Sequence, residues 1–483
     1  MLVKTEQDEI QSFLADASNL AGGHAQSVVF PESAEEAAEF LARASRERTP
    51  VTVAGAGTGI VGGRVPFGGA VLSTRRLNRI EEIVVDESGG GRAVVGAGVV
   101  LADFQREAEA RGLFYPPDPT ERSCQLGGTI ATNASGARSF KYGPTRRYVR
   151  RLRVALATGD VLDIGRGEIF ADAGGRLSLP LAGGRSIEAR LPSYTMPRTR
   201  KHAAGYFSAP GMDALDLFVG SEGTLGVIAE AELDLLPRPE GVLAGIVFFE
   251  AEDGLLAFVR EARSLSFAAR AGGAPAAVDA RALEYFDSES LKFLRERYPL
   301  VPLRAACAVF FEQEVTAEAE EAVMSAWLEL LERHGALVDD SWFGTSEHDR
   351  LEMREFRHHL PVMVNEWLAR HGQRKVSTDA AVPDEAFPEM LALYKSTLRS
   401  MGLRHVVFGH IGDNHVHVNI LPRDGFERLA AQEAYARFIR RAVEAGGTVS
   451  AEHGVGKIKR EYLRELYGDR HLREMADLKR AFD

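Results

Sequence analysis

Three histidines and an asparagine lie close together in one strand-like segment, which runs from Gly409 to Ile420 as Gly-His-Ile-Gly-Asp-Asn-His-Val-His-Val-Asn-Ile. Side chains alternate across a strand, so the pattern places His415, His417 and Asn419 on one face, opposite aliphatic side chains. A glycine-containing turn would fold His410 back toward that face. Imidazole rings gathered in this way can bind a divalent metal ion or transfer protons.

A second motif adds a carboxylate and a further imidazole. The residues from Ser450 to Gly456 read Ser-Ala-Glu-His-Gly-Val-Gly, which places Glu452 and His453 in a glycine-rich turn. Two imidazoles and one carboxylate are a common ligand set for a catalytic divalent metal that keeps an open position. Zn, Mn, Fe and Co all accept such ligands. The alternative is that these are ordinary core or surface histidines, and their spacing alone does not decide between the two.

Glycine accounts for 48 of the 483 residues, and three segments of the first half are rich in it. The first follows a short β-branched run as Gly55-Ala-Gly-Thr-Gly59, and the others are Gln125–Gly136 and Phe218–Ile228. Without a Cβ, backbone N–H groups can approach an anion closely. A single such loop is more often an ordinary tight turn, and the first loop is neither a Walker A loop nor a Rossmann fingerprint. Three segments together indicate a large ligand with many contacts.

The elements that position these residues are interleaved helices and strands without the regular spacing of a doubly wound sheet, which predicts an α+β fold. A capping box at Ser33-Ala-Glu-Glu36 opens a helix that runs to about Arg46. The composition changes at Leu236-Pro-Arg-Pro239, and strands then alternate with long amphipathic helices before a helical tail. We therefore expect three parts, at residues 1–237, 238–425 and 426–483.

Composition and charge exclude several classes of protein. Hydrophobic residues make up 45% of the chain and charged residues 26%, which excludes a wholly disordered protein. The net charge of −11 argues against nucleic acid as a partner. The two cysteines, Cys124 and Cys307, are too few for an iron–sulfur cluster or a disulfide scaffold. The sequence has neither a membrane-spanning apolar run nor a recognisable targeting segment at its start, so a cytoplasmic location is expected.

The three glycine-rich segments resemble the FAD-binding domain of the vanillyl-alcohol-oxidase (PCMH-type) flavoproteins, a family that includes D-lactate dehydrogenases. The resemblance implies an FAD-binding domain at residues 1–237 and an α+β substrate and metal-binding cap domain with an antiparallel sheet at 238–425. It also implies that the helical segment 426–483 returns to the FAD domain and carries the Glu-His-Gly motif. Because the first loop lacks the histidine that covalent members use, non-covalent FAD is implied.

The resemblance carries a set of cofactor contacts onto this sequence, all in or beside the three segments. The implied FAD contacts are Gly55, Ala56, Gly57, Thr58, Gly59, Gly62, Asp118, Pro119, Cys124, Gly127, Gly128, Thr129, Asn133, Ser135, Gly136, Tyr142, Glu222, Gly223, Gly226, Val227 and Ile228.

The two histidine motifs resemble those of the metal-dependent D-2-hydroxyacid dehydrogenases in the same family, which show Gly-His-x-Gly-Asp-Gly-Asn-x-His-x-Asn followed by Glu-His-Gly. The resemblance implies that His410, His417 and Glu452 bind one divalent metal ion, either Zn or one of Mn, Fe and Co. It implies that Asn419 contacts the substrate and that His453 is the catalytic base.

This sequence departs from the motif at Asn414 and His415, where the family usually has Gly and Asn. His415 is therefore an alternative metal ligand. The family's substrate arginine corresponds to Arg357, and a guanidinium suits a carboxylate because it can form two parallel hydrogen bonds. Ser377 stands where the family has a lysine, and Lys375 two residues earlier is the candidate replacement. The alternative for both cations is a solvated charge at the end of a helix.

The expected function is oxidation of a small D-2-hydroxy acid, such as D-lactate, to the 2-oxo acid, with hydride transfer to flavin N5. Glycolate or D-2-hydroxyglutarate are alternative substrates. A metallohydrolase, a flavin-containing subunit of a larger electron-transfer complex, and a relative acting on an ether-lipid precursor or an aromatic alcohol are the competing functions.

The electrons must leave the flavin, so a separate acceptor is implied: a quinone, a cytochrome, an electron-transferring flavoprotein or an iron–sulfur subunit. Peripheral association with the inner face of a membrane is compatible with such an acceptor. Relatives usually continue past the position of Asp483, which suggests that the native chain is longer.

Overall fold

A computed structural model describes residues 1–272 and 277–483. The strands are β1 Leu2–Lys4, β2 Ser27–Phe30, β3 Val51–Ala54, β4 Ala70–Ser73, β5 Ile80–Val85, β6 Gly91–Gly96, β7 Leu113–Phe114, β8 Val149–Ala155, β9 Val161–Gly165, β10 Arg176–Pro180, β11 Ser186–Arg190, β12 Val227–Pro237, β13 Gly241–Phe249, β14 Ala280–Phe286, β15 Cys307–Val315, β16 Trp342–Gly344, β17 Val376–Ser377, β18 His405–Gly409 and β19 His417–Ile420. The helices are α1 Gln7–Ile10, α2 Ala34–Glu47, α3 Leu101–Glu109, α4 Leu126–Ala131, α5 Ser139–Tyr142, α6 Glu252–Gly272, α7 Ser288–Arg295, α8 Glu320–Arg333, α9 Glu347–Arg370, α10 Phe387–Ser400, α11 Gly425–Glu444 and α12 Arg460–Phe482.

Local sequence signals account for the ends of several elements. The Ser33 hydroxyl accepts a hydrogen bond from the Glu36 N–H at the start of α2, and the helix ends at Arg48 in the left-handed conformation, with φ 54°. The predicted Ser33 N-cap and the helix that follows it are therefore confirmed, while the Glu36 carboxylate accepts from the Glu32 N–H at 2.9 Å instead of from the Ser33 N–H. Strands β8 and β9 form a hairpin around Thr158-Gly-Asp160, pairing in antiparallel register from Arg151 opposite Gly165 to Ala155 opposite Val161.

The first half of the chain contains two principal sheets. One has the order β1-β2-β4-β3, in which β2, β4 and β3 are parallel. The other is antiparallel, with the order β5-β6-β12-β8-β9, and β7 pairs with the end of β12. The glycine-rich loop from Gly55 to Gly59 follows β3 directly, as the sequence predicts.

The second half is built on a seven-stranded antiparallel sheet with the order β16-β13-β15-β14-β18-β19-β17. Helices α6, α8, α10 and α11 pack on one face, where Phe258, Trp327 and Phe438 are buried against the sheet. On the other face, α7 and α9 bury Phe293 and Phe356. The α+β fold and the antiparallel sheet of the second half are thus both confirmed. Within the described residues, no helix is both long enough and apolar enough to cross a bilayer.

The end of the chain returns to the first half, as expected. In α12, Leu478 and Phe482 are buried in the core of the first half, and the Phe482 ring lies edge-on to Phe218 at a centroid distance of 5.7 Å. Earlier in the same helix, Tyr467 stacks on Tyr194. The turn that carries Glu452 and His453 lies between α11 and α12, so this packing ties it to the first half.

We expect Phe482→Ala to lower the thermal unfolding midpoint of the protein, because removing a buried phenylalanine costs about 3–5 kcal/mol. Leu303→Ala is the control, since this leucine is 90% exposed and its loss should change the midpoint little. Thermal scans of the two purified variants beside the parent protein make the comparison. Equal midpoints for both variants would show that the terminal helix does not stabilise the first half.

Candidate functional site

A cleft of about 460 Å³ lies where the two halves meet. The first half contributes the loop after β3, the start of α4 and the turn before β12. The second half contributes β17, β19 and the turn that carries Glu452 and His453. The glycine-rich segments and the histidine motifs, which are far apart in sequence, therefore line one continuous space.

The glycines at this surface leave room for another molecule. A Cβ added at Gly59, Gly63 or Gly128 would have no protein atom within 4 Å. Gly57 has φ 85°, a conformation that favours glycine, and a Cβ there would clash with the Arg64 guanidinium, whose Nη1 donates to the Gly55 carbonyl at 2.9 Å. Arg64 thus holds the loop through its hydrogen bond to Gly55, and the loop is open toward the cleft, as binding of a phosphate-bearing cofactor requires.

Two thirds of the predicted cofactor residues line the cleft. They are Gly55, Ala56, Gly57, Thr58, Gly59, Pro119, Cys124, Gly127, Gly128, Thr129, Ser135, Glu222, Gly223 and Ile228. The other seven predicted cofactor residues do not line the cleft.

Two of these seven residues, Asp118 and Asn133, have polar side chains that bond to other residues of the protein. The Asp118 carboxylate is paired with Arg138 at 3.3 Å, and the Asn133 Oδ1 accepts from the Arg146 N–H at 2.9 Å. The rest are packed against protein: Gly62 against Leu20, Gly136 against the Asp118 carbonyl, Tyr142 in the core of the first half, and Gly226 and Val227 beside a separate cavity near the chain terminus.

The predicted metal ligands converge at the end of the cleft. Glu452 Oε1 lies 3.1 Å from His410 Nε2 and 3.3 Å from His417 Nε2. One nitrogen from each of His410, His415 and His417 and one Glu452 oxygen all lie within 4.8 Å of one another. The structure therefore brings together the three predicted ligands and adds His415 to them.

The Nδ1 atoms of His410 and His417 form hydrogen bonds with residues of the second half. His410 Nδ1 donates to Glu284 Oε1 at 2.6 Å, and His417 Nδ1 donates to the Thr378 carbonyl at 3.3 Å. Each ring thus presents Nε2 to Glu452, and this is the arrangement in which a histidine binds a metal with its second nitrogen hydrogen-bonded. Burial opposes protonation of His410, but Glu284 and Glu452 together raise the pKa of His410 above its ordinary value. A cluster that attracts a proton in this way also suits a divalent cation.

The first half holds the other oxygen of Glu452. Ser135 Oγ donates to Glu452 Oε2 at 2.9 Å, and Lys201 Nζ lies 3.3 Å from the same atom. Lys201 is fully buried and also donates to the Gly136 carbonyl at 2.9 Å. Burial would raise the pKa of Glu452, but Lys201 and His410 hold it well below the ordinary value. Glu452 Oε2 therefore has its partners in the first half, and Glu452 Oε1 is the oxygen available to a cation.

His453 is held by a buried aspartate. Its Nδ1 lies 3.3 Å from Asp379 Oδ2, and the ring lines the cleft with a side-chain exposure of 25%. Burial lowers the pKa of His453 to about 4, against the opposing effect of Asp379. Lys459 Nζ and Ser450 Oγ both donate to Asp379 Oδ2 at 2.6 Å, so the aspartate is fixed independently of the histidine. The ring can then present Nε2 to a molecule in the cleft.

The predicted substrate residues have different surroundings. Asn419 lines the cleft, is buried, and its Oδ1 has no partner among the described residues. Lys375 and Ser377 both line the cleft, as residues two apart in a strand should, and burial lowers the pKa of Lys375. Arg357 is buried behind the cleft lining: its Nε donates to Glu284 Oε2 at 2.7 Å, and its Nη1 lies 3.5 Å from Thr120 Oγ1.

Sequence reasoning assigned no role at the site to Lys201, Glu284 or Asp379. Glu284 did leave a signal, because it is a single carboxylate inside the apolar strand Ala280–Phe286. Lys201 left none, since the basic run around it is typical of an exposed loop.

Comparisons with known proteins agree with this architecture. Residues 25–165 match the model of an FAD binding domain, and residues 256–483 match the C-terminal domain of FAD linked oxidases. The chain is similar in fold to alkyldihydroxyacetonephosphate synthase, with a TM-score of 0.64 and 16% identity, over 99% of this chain and 83% of that one.

Several relatives are similar over nearly their whole length. Glycolate oxidase subunit GlcD of Bacillus subtilis is 31% identical, over 94% of this chain and 86% of the relative. D-lactate dehydrogenase of Archaeoglobus fulgidus is 31% identical, over 94% and 88%. D-2-hydroxyglutarate dehydrogenase of Xanthomonas citri is 27% identical, over 100% and 92%. The chain therefore belongs to the family of FAD-linked oxidoreductases that join an FAD binding domain to an FAD linked oxidase C-terminal domain.

Proposed function

We propose that this protein is an FAD- and metal-dependent dehydrogenase that oxidises a small D-2-hydroxy acid, of the D-lactate type, to the 2-oxo acid. One observation carries the proposal: His417, Glu452 and His453 line the same cleft as the cofactor glycines, and His410 Nε2 lies 3.1 Å from Glu452 Oε1. A metal site and a base therefore share one space with the flavin-binding loops. Names of relatives that include D-lactate dehydrogenase, D-2-hydroxyglutarate dehydrogenase and a glycolate oxidase subunit support the substrate class.

The residues present fit both groups. The loop from Gly55 to Gly59 and the start of α4 would hold FAD non-covalently, since the loop has no histidine to attach it. When bound, FAD supplies the acceptor for the hydride that leaves C2 of the substrate. His410, His417 and Glu452 would hold the divalent ion through two imidazoles and one carboxylate oxygen. When bound, such an ion polarises the substrate oxygens and lowers the pKa of the hydroxyl.

The side chains that line the cleft have separate roles in the proposed reaction. His453 removes the hydroxyl proton, and Asp379 orients its ring through Nδ1. Asn419 offers an unpartnered amide oxygen to a substrate group. Lys375 and the terminal nitrogens of Arg357 attract the carboxylate. Because Glu284 already neutralises Arg357, Lys375 is the more available cation of the two.

The division of the chain follows from this chemistry. We assign residues 1–237 to FAD binding, 238–425 to the substrate and metal, and 426–483 to the helical segment that returns Glu452 and His453 to the cleft. The electrons pass to a separate acceptor, for which a quinone, a cytochrome, an electron-transferring flavoprotein or an iron–sulfur subunit would serve. A cytoplasmic protein in contact with the inner face of a membrane would meet such acceptors.

To test the cofactor loop, we expect Gly59→Asp to purify with most of its FAD missing, because the new carboxylate would face the cofactor phosphates. Gly59→Asn adds nearly the same volume without the charge and should retain more FAD. Gly425→Asp is the matched control, since this glycine is also open but lies outside the cleft. FAD per protein, measured by absorbance after denaturation, makes the comparison. Full occupancy in Gly59→Asp would remove this loop from the site.

To test the reaction, we expect His453→Ala to keep both FAD and metal but to reduce its flavin at least about a hundredfold more slowly, as loss of a positioned base requires. Glu452→Ala should instead lose the metal first. Anaerobic stopped-flow with D-lactate, beside metal analysis of both variants, separates the two roles. Flavin reduction at the parent rate in His453→Ala would mean that the base lies elsewhere, with His415 as the next candidate.

A further inference from the structure

His415 is a buried imidazole that the function proposed above does not use. It is fully buried, and its Nδ1 has no hydrogen-bond partner among the described residues, while its Nε2 lies beside the Asp379 carboxylate. Buried polar groups are nearly always partnered, and leaving one unpaired costs about 1–3 kcal/mol. The ring therefore calls for a partner that the polypeptide does not supply.

The surroundings of His415 indicate what that partner is. The ring centroid lies 4.6 Å from that of His417 and 5.3 Å from that of His410, and these two are themselves 5.4 Å apart. One nitrogen of each ring and one oxygen of Glu452 fall within 4.8 Å of one another. Three rings thus surround a common point with Glu452.

A hydrogen bond to Asp379 alone does not account for this arrangement. His415 Nε2 lies 3.1 Å from Asp379 Oδ1, which also accepts from the Glu452 N–H at 3.3 Å, but this contact engages only one of the two ring nitrogens. If the ring donates to Asp379, its second nitrogen keeps a free lone pair within the cluster. A carboxylate behind an imidazole then repeats the pairing of Glu284 with His410, as in many metal sites.

We propose that His415 is a fourth protein ligand, so that three imidazoles and one carboxylate hold the metal ion. The inference rests on the metal site of the proposed function and deepens it. A third imidazole shifts the preference of the site from Mn toward Zn, Co and Fe, which bind nitrogen ligands more strongly.

The test measures metal affinity on FAD-replete protein, without turnover. Metal-free parent, His415→Asn and His410→Asn proteins are titrated with Zn²⁺ and with Mn²⁺ against a chelating dye. We expect His415→Asn to lose at least about tenfold in Zn²⁺ affinity and clearly less in Mn²⁺ affinity, so that the Zn/Mn ratio falls. In His415→Ala, added imidazole should restore part of the Zn²⁺ affinity. Retained FAD and an unchanged thermal midpoint establish that each variant is folded.

His202→Asn is the matched control, because His202 is also a histidine close to the turn of Glu452 but is hydrogen-bonded to Thr448 and Tyr467 instead of facing the cluster. It should bind both ions as the parent does. Parent-like affinities in His415→Asn, together with metal loss in His410→Asn, would overturn this inference and leave the proposed function intact. An equal loss for both ions without rescue by imidazole would also overturn it, since His415 would then act only through Asp379. Parent-like affinities in both variants would overturn the metal site itself.

Discussion

The arrangement of the site depends on one buried carboxylate that is shared between the two halves of the molecule. Glu452 directs Oε1 at the histidines of the second half, while Ser135 and Lys201 of the first half hold Oε2. A buried carboxylate is stable only if it is compensated, and here an ammonium, a hydroxyl and two imidazoles together compensate it. Ser135 also belongs to the second glycine-rich segment. Its hydrogen bond to Glu452 therefore fixes the position of that segment relative to the histidines of the second half.

The turn around Glu452 is fixed by two further carboxylates. Glu222, in the third glycine-rich segment, accepts hydrogen bonds from the N–H groups of Val455 and Gly456, both at 2.8 Å. Asp379 accepts from the N–H of His453 at 3.1 Å. Hydrogen bonds from both halves therefore meet on one short turn, and loss of either partner would leave buried N–H groups unpaired. This explains how a glycine-rich turn, which is intrinsically mobile, can hold the side chains of Glu452 and His453 in fixed directions.

The parts of this account that were predictable from sequence are those with local signals. The capping box before α2, the polar face of β19 and the Glu-His-Gly turn are all patterns within a few residues, and they predicted a helix, a histidine cluster and a shared site. The partners of these residues were not predictable, because Lys201 and Glu284 reach the site only through tertiary packing. Arg357 shows the same limit: its type suits a carboxylate substrate, but in the fold Glu284 is its first partner. Asp118 and Asn133, which the resemblance implies as FAD contacts, also have partners within the protein that no local pattern indicated.

Whether flavin and metal act on the same substrate in one cleft can be decided from the flavin half-reaction. FAD-replete protein is stripped of metal by chelation, verified by metal analysis, and mixed anaerobically with D-lactate, L-lactate or glycolate in a stopped-flow instrument. We expect D-lactate to bleach the flavin in metal-loaded protein. Metal removal should slow this flavin reduction at least about a hundredfold, and added divalent ion should restore its rate. Flavin reduction at the same rate in verified metal-free protein would show that the metal takes no part in the reaction.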